Sequence, residues 1–459
     1  MVKKCFCLIF VFLFFLMASA QAAGIVETLA ARFPEDFRLR MKLSVSEWVP
    51  LDEVRCQQLS NLLEHIRMDI AKSGSIYSMG LSVDGSDNVH LYLREYDDRK
   101  EMTLNTLPGT LFEGGENLLD EMLAQESKEV LQHMSFSAGQ DLMSLGKIDA
   151  GLQILMHSDV LKKTEKKEKQ NVAGYGNTSR RVTFDLQDDM PETLSDMLVL
   201  SLDPSFFENA SVEKQKLYLL VADDDIIHKA SYSCTLNTES GAWKIEASWK
   251  NGLKNSTQRS LFKAEASRMR EEDERKETII LSCSKESKGQ QENMSWQRIH
   301  KTGNTQTVCT VSAELMNTDG RITGKCAVRE SDQVKGNKGM LIELVPDLLI
   351  SQEEPYIAGA VTYRYTEDGM NPNAGRIELD VFANDPIHFP ETVHHIDLTQ
   401  LNEEERIACS ANVLTSVMSS LLKDLVLIDS ADNEYLRQDI PEAEWLKILY
   451  TAGPAVEEE

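Results

Sequence analysis

From Ile226 to Val381 the chain keeps returning to one pattern, an apolar residue alternating with a polar one. Ile226, His228, Ala230, Tyr232 and Cys234 share one parity. After a turn over Asn237 to Gly241, Trp243, Ile245, Ala247 and Trp249 share the next. The alternation continues through Ile279-Leu281-Cys283, Thr307 to Leu315, Ile322-Cys326-Val328, Val361-Tyr363-Tyr365 and Ile377-Leu379-Val381. Successive side chains of a strand point to opposite faces, so a period of two buries one face and wets the other. Asn317-Thr318-Asp319-Gly320 supplies a hairpin turn between two of these runs. The region reads as an antiparallel meander, large and curved.

The first third mixes periods. Phe37, Leu39, Met41, Leu43 and Val45 alternate with Arg38, Arg40, Lys42 and Ser44 as in a strand. After Pro50, a stripe of Cys56, Leu59, Leu63, Ile66 and Ile70 at three- and four-residue steps predicts a helix as far as Ala71. A hairpin follows about Asp84 to Asn88, then helical stretches from Gly114 to Phe136 and from Gly139 to Leu161. Lys162 to Gln170 is basic and is followed by Gly174 and Gly176, which marks a linker or loop. Short helices are expected at Glu192 to Leu202 and Ser205 to Lys214. A longer one begins at Asn402, with Glu405 as its capping-box partner and Ile407, Ala411, Leu414, Met418, Leu421 and Leu425 as its buried stripe. A short helix over Glu442 to Leu449 closes the chain.

The expected fold class is therefore α+β: large antiparallel, curved sheets with helices packed on one face, in two domains. The boundaries are a signal peptide over 1–23, an N-terminal α+β domain over 24–160, a linker over 161–176, and a sheet-rich domain over 177–459 closed by a C-terminal helix. The first segment has Lys3 and Lys4, an apolar run from Cys5 to Met17, and small residues in Ala18-Ser19-Ala20 and Ala20-Gln21-Ala22. That is the tripartite form of a cleavable export signal, and no later stretch has the length of an apolar span. The expected location is extracytoplasmic: secreted, periplasmic or at the cell surface.

Composition limits the partners. A formal net charge of −26 repels phosphate backbones, so nucleic-acid binding is disfavoured. Six cysteines follow the signal, too few in a chain of 459 residues for a disulfide scaffold. Five of the six fall on apolar parities or stripes, where a thiol behaves as a small hydrophobe. Cys309 and Cys326 flank one hairpin and are the candidate disulfide. His394-His395 with His388 and Asp397 is the best histidine group, but adjacent side chains of an extended segment diverge, so no metal site is expected. The acidic turns lack EF-hand spacing, and no GxSxG, HExxH or Gly-rich phosphate loop occurs. No catalytic residue and no cofactor is assigned.

Tyr232, Trp243 and Trp249, aromatic and on neighbouring runs, are the candidate lining of a ligand cavity, set against their ordinary use as core. The function expected is a non-enzymatic exported binding or envelope-associated protein that holds an apolar small molecule, or meets an envelope protein partner. A secreted hydrolase with a site scattered in sequence, and a structural or adhesion module, are the alternatives.

Overall fold

The computed structural model describes residues 34–48, 53–96, 99–115, 118, 148, 151–158, 161–186, 211–238, 241–270, 275–303, 305–332, 339–367 and 372–425. The expected export signal, the helices expected at 192–202 and 442–449, and most of the stretch 116–147 lie outside them.

Twenty strands form a single sheet. In chain order the first are β1 (Phe37–Glu47), then α1 (Glu53–Glu64), β2 (Ile66–Ser73), β3 (Ile76–Val83), β4 (Ser86–Glu95), β5 (Lys100–Leu104) and β6 (Thr110–Gly114). A helical turn, α2, covers 151–157. The meander proper follows: β7 (Lys163–Val172), β8 (Gly176–Phe184), β9 (Ser211–Val221), β10 (Ile227–Thr238), β11 (Gly241–Lys254), β12 (Thr257–Met269) and β13 (Lys276–Lys288). It continues with β14 (Gln291–Thr302), β15 (Thr305–Thr318), β16 (Arg321–Asp332), β17 (Met340–Ile350), β18 (Ile357–Glu367) and β19 (Asn373–Ala383). A short β20 (His394–Asp397) and α3 (Glu403–Leu425) complete the described chain.

The spatial order runs from β7 through β19 to β1, then to β6 and β20. Every pairing is antiparallel except β20 with β6. Because β1 sits between β19 and β2, residues more than 300 positions apart are stitched into one sheet. This overturns the expected α+β fold of separate helix-backed sheets. Each strand is legible locally, but which edges meet is decided by a pairing across most of the chain.

The alternation works as the physics requires. One in-register row runs Ala230, Trp249, Phe262, Cys283, Trp296, Val311, Val328, Ile342, Tyr365 across β10 to β18. Another runs Ile357, Val381, Leu39, Ile70, Met79, Leu91, Leu104 across β18, β19 and β1 to β5. Both lie on the inner face. Buried residues there form two main cores, one centred on β8 to β15 and one on β14 to β19 with β1; Val328 packs against both. α2 covers part of the first core with Leu152, Leu155 and Met156. α1 covers Val45 and Trp48 with Cys56, Leu59 and Leu63.

Five local readings change. The helix expected to Ala71 stops at Glu64, and Ile66 and Ile70 belong to β2. From Ile66 onward the spacing fits either period, and pairing with β1 settles it: Met68 and Ile70 turn inward, while Asp69 meets Arg38 and Arg40 outside at 3.1 and 3.4 Å. Ser211 to Lys214 is the start of β9, not helix. A bulge between Ile227 and Lys229 shifts the parity of β10, so Ile227 is buried and Ile226 is exposed. The basic tract Lys163–Val172 is β7, paired only with β8 among the described strands. Its side chains are exposed on both faces almost throughout, and its lysines guard the sheet edge against adding a further strand.

The fifth change concerns α3. Its capping box forms as expected, Glu405 N donating to Asn402 Oδ1 and Asn402 N to Glu405 Oε2, both at 3.0 Å. Its orientation does not. Cys409, Val413 and Val417 face the sheet, packing with Leu91, Leu93, Met102, Leu104 and Phe112, while Ile407, Ala411 and Leu414 face outward. The reason is polar. The loop carbonyls of Thr106 and Asn88 accept from Ser416 Oγ at 2.8 Å and Ser420 Oγ at 2.6 Å. Open carbonyls under a helix need donors, and only the serine side of α3 supplies them.

Curvature has identifiable causes. The β16–β17 ladder jumps from Thr323↔Asp347 to Cys326↔Leu344, leaving out Gly324 and Pro346. Pro346 has no N–H to give, and Gly324 has φ +147° with Glu314 O only 2.0 Å from where a Cβ would stand. Replacing Gly324 by alanine is therefore expected to cost about 1–3 kcal/mol. Denaturant midpoints of the variant and the parent check this, and equal midpoints would show that the bend does not depend on glycine.

Candidate functional site

Tyr232, Trp243 and Trp249 all lie on the inner face and are essentially inaccessible to water. The Tyr232 hydroxyl donates to Gln215 Oε1 at 2.9 Å. Burial, reinforced by Cys234 nearby, pushes its phenol well above the ordinary range. Trp243 lies beneath the guanidinium of Arg268, 4.6 Å from the ring centre. Trp249 sits six positions from Trp243 on the same strand, roughly 20 Å away. The three residues are thus distributed through one core rather than gathered about one point. Phe262 and Trp296 belong to the same core.

Among the described residues the cysteines are free thiols. Cys309 stands opposite Glu330 and Cys326 opposite Ala313, four positions apart along the β15–β16 ladder. That is about 13 Å of strand, beyond the reach of a disulfide, so the bridge expected between them is not formed. Burial raises the thiol pKa of Cys234 and Cys409, and pushes Cys326 up to about 12. Thiols held protonated in this way are poor nucleophiles.

The inner-facing charges of β12, β13 and β14 were not picked out from sequence. Arg268 Nε donates to Glu277 Oε2 at 2.8 Å, and His300 Nε2 lies 2.8 Å from Glu277 Oε1. Burial acts to raise the Glu277 carboxyl, but the bonds from Arg268 and His300 outweigh it and hold its pKa below the ordinary value. Further along the same face Lys285 Nζ meets Glu292 Oε1 at 2.8 Å, with Glu292 almost fully buried. Arg298, the remaining inner-facing charge of these three strands, is half-buried between Leu281 of β13 and Cys309 of β15. The parity of Arg268 with Ala264 and Ala266, and of Arg298 with Trp296, was available in the sequence. A charged residue at the end of an apolar run reads there as the run's solvated limit.

The inner face is not sealed everywhere. Met68, Ile70, Met79, Leu81, Leu91 and Leu93 on β2 to β4 are only half-buried. So are Cys309, Val328 and Met340, where the two large cores meet. The outer face is charged: Lys244, Glu246, Lys263, Glu265, Arg364, Arg376 and Glu378 are all exposed. The site thus comprises an apolar inner wall, two half-open stretches of that wall, and a few embedded charges.

No family model matches the chain, and no curated protein does. Among solved structures, the chain is similar to the outer membrane protein opdK from Pseudomonas aeruginosa, at 8% identity and a TM-score of 0.27, over 76% of this chain and 97% of that one. A BenF-like porin from Pseudomonas fluorescens Pf-5 gives 6% identity and a TM-score of 0.29, over 76% and 99%. OpdQ from Pseudomonas aeruginosa gives 7% and 0.27, over 76% and 96%. Likeness at these scores carries no weight for fold or function.

Two outcomes follow from the embedded polar groups. Because the folded pKa of Glu277 lies below its unfolded one, its stabilising contribution is complete above pH ~4.3 and is lost as pH falls through the folded value. The parent should therefore lose more stability between neutral and acid pH than Glu277→Gln does. Parallel slopes of stability against pH in the two proteins would remove the ion network from the account. Trp249, whose indole N–H is buried without an acceptor, is held by packing alone. Trp249→Ala should cost about 3–5 kcal/mol, and Trp249→Phe, which deletes the N–H but keeps a ring, less than half of that. Chemical denaturation of both variants gives the comparison.

Proposed function

We propose that this protein is an exported, non-enzymatic component of the cell envelope that holds an apolar molecule against the inner face of its sheet. The observation that carries the reading is the half-open apolar wall. A face meant only as core is sealed along its length, as it is from Ala230 to Val311. Here it remains partly accessible over β2 to β4 and at the meeting of the two cores, where large flexible residues, Met68, Met79 and Met340, line it. Methionine side chains adapt to apolar ligands of varied shape. Raised thiol pKa values fit a binding role better than a nucleophilic one.

The charged outer face favours contact with water over contact with lipid tails, since strands that cross a bilayer present an apolar band outward. Among the described residues no helix is long and apolar enough to cross a membrane. A second reading, a module that docks a protein partner, draws on the outward stripe Ile407, Ala411 and Leu414 of α3.

Native mass spectrometry of the protein purified from its exporting cell separates the two. The expected result is a co-purified apolar molecule that is released on denaturation, and whose occupancy falls when Met79→Glu puts a charge on the half-open wall. The double change Ile407→Ser and Leu414→Ser should leave that occupancy unchanged. A bare chain mass from every preparation would sink the carrier reading and leave the partner module.

A further inference from the structure

We propose that Arg298 is the anchor for the anionic head of an amphiphilic ligand, a carboxylate or phosphate on a hydrocarbon chain, bound where the two cores meet. This inference rests on the carrier reading and narrows its ligand class. The argument starts from how the inner face of β12 to β14 treats charge. Arg268, Glu277 and His300 satisfy one another, and Lys285 is matched by Glu292. Arg298 is on the same face and makes no ion pair or hydrogen bond among the described residues. The chain has 74 acidic residues against 48 basic ones, yet the carboxylates of β12 to β14 on this face, Glu277 and Glu292, are bonded to other groups.

The surroundings define the ligand. Across the strands Arg298 is flanked by Leu281 and Cys309; along its own strand and on the same face stand Trp296 and His300. His300 Nε2 is committed to Glu277. One strand beyond Cys309 is Glu330, the inner-facing carboxylate of that row. On β15 to β17, Cys309, Val328 and Met340 offer accessible apolar surface.

A guanidinium beside apolar surface is poorly solvated, and its planar fork of N–H donors matches a carboxylate or phosphate in two parallel hydrogen bonds. A purely apolar ligand would leave that cation stranded, and a small anion would leave the apolar surface wet. An amphiphile with an anionic head satisfies both.

The test titrates the mature full-length protein with dodecanoate, dodecyl phosphate and dodecanol, followed by tryptophan fluorescence, with Trp296 as a near reporter, and by calorimetry. The two anions should bind at least about tenfold more tightly than the alcohol. Arg298→Gln should remove that preference without weakening the alcohol, and Arg298→Lys should retain part of it. Independently of any variant, the anion affinities should fall with added salt while that of dodecanol does not. Equal binding of all three probes, or anion binding untouched by Arg298→Gln in a variant with parental circular dichroism, overturns the anchor and leaves the carrier reading intact. Failure of all three probes to bind removes both.

Discussion

Register is the constraint on which this structure depends. Strands β10 to β18 share one inner parity, and each pairs its apolar row with that of its neighbour. Moving any strand by one residue would turn its lysines and glutamates into the wall and its tryptophans into water. The irregularities fall where parity or curvature must be adjusted: the bulge at Ile227/Lys229, the shift at Val45/Glu47, and the break at Gly324 and Pro346.

The same register places charge inside. An arginine at the end of an apolar run is solvated in an isolated strand. In the assembled sheet Arg268 lies over Trp243 and bonds to Glu277, whose other oxygen meets His300. Taking such groups out of water is costly unless they are matched, and matching here requires three consecutive strands in fixed register. Arg298 differs from its neighbours by lacking a match, which connects the electrostatics of the wall to the proposed amphiphilic ligand. The outward stripe of α3 has the opposite origin. There the need of Asn88 and Thr106 carbonyls for donors rotated a helix away from its most apolar face.

Much of this was legible beforehand, within limits set by physics. Strand identity for β10, β11, β13, β15, β16, β18 and β19 followed from alternation, and turns such as Asp319-Gly320 from local backbone needs, since Asp319 and Gly320 both adopt positive φ. Misreadings came where two periods fit the same residues, as at Ile66 and Ile70, or where a strand carried no apolar face at all, as in β7. The aromatic residues Tyr232, Trp243 and Trp249, read as the lining of a ligand cavity, belong to one buried core. Their separation along β11 and the charges lying beside them could not be seen, because both are properties of neighbouring strands.

The sequence by itself determined that several runs between β10 and β19 are extended, which of their side chains share a face, where hairpins such as Asp319-Gly320 turn, and that the chain has a strongly acidic balance. These follow from interactions between residues a few positions apart. The tertiary structure alone decided that β1 joins β19 to β2, that Cys309 and Cys326 miss one another by four positions, that α3 turns serines toward the sheet, and that Arg298 has no ion-pair partner among the described residues. Each depends on which strand edges or surfaces meet across hundreds of residues, and no local period encodes that choice.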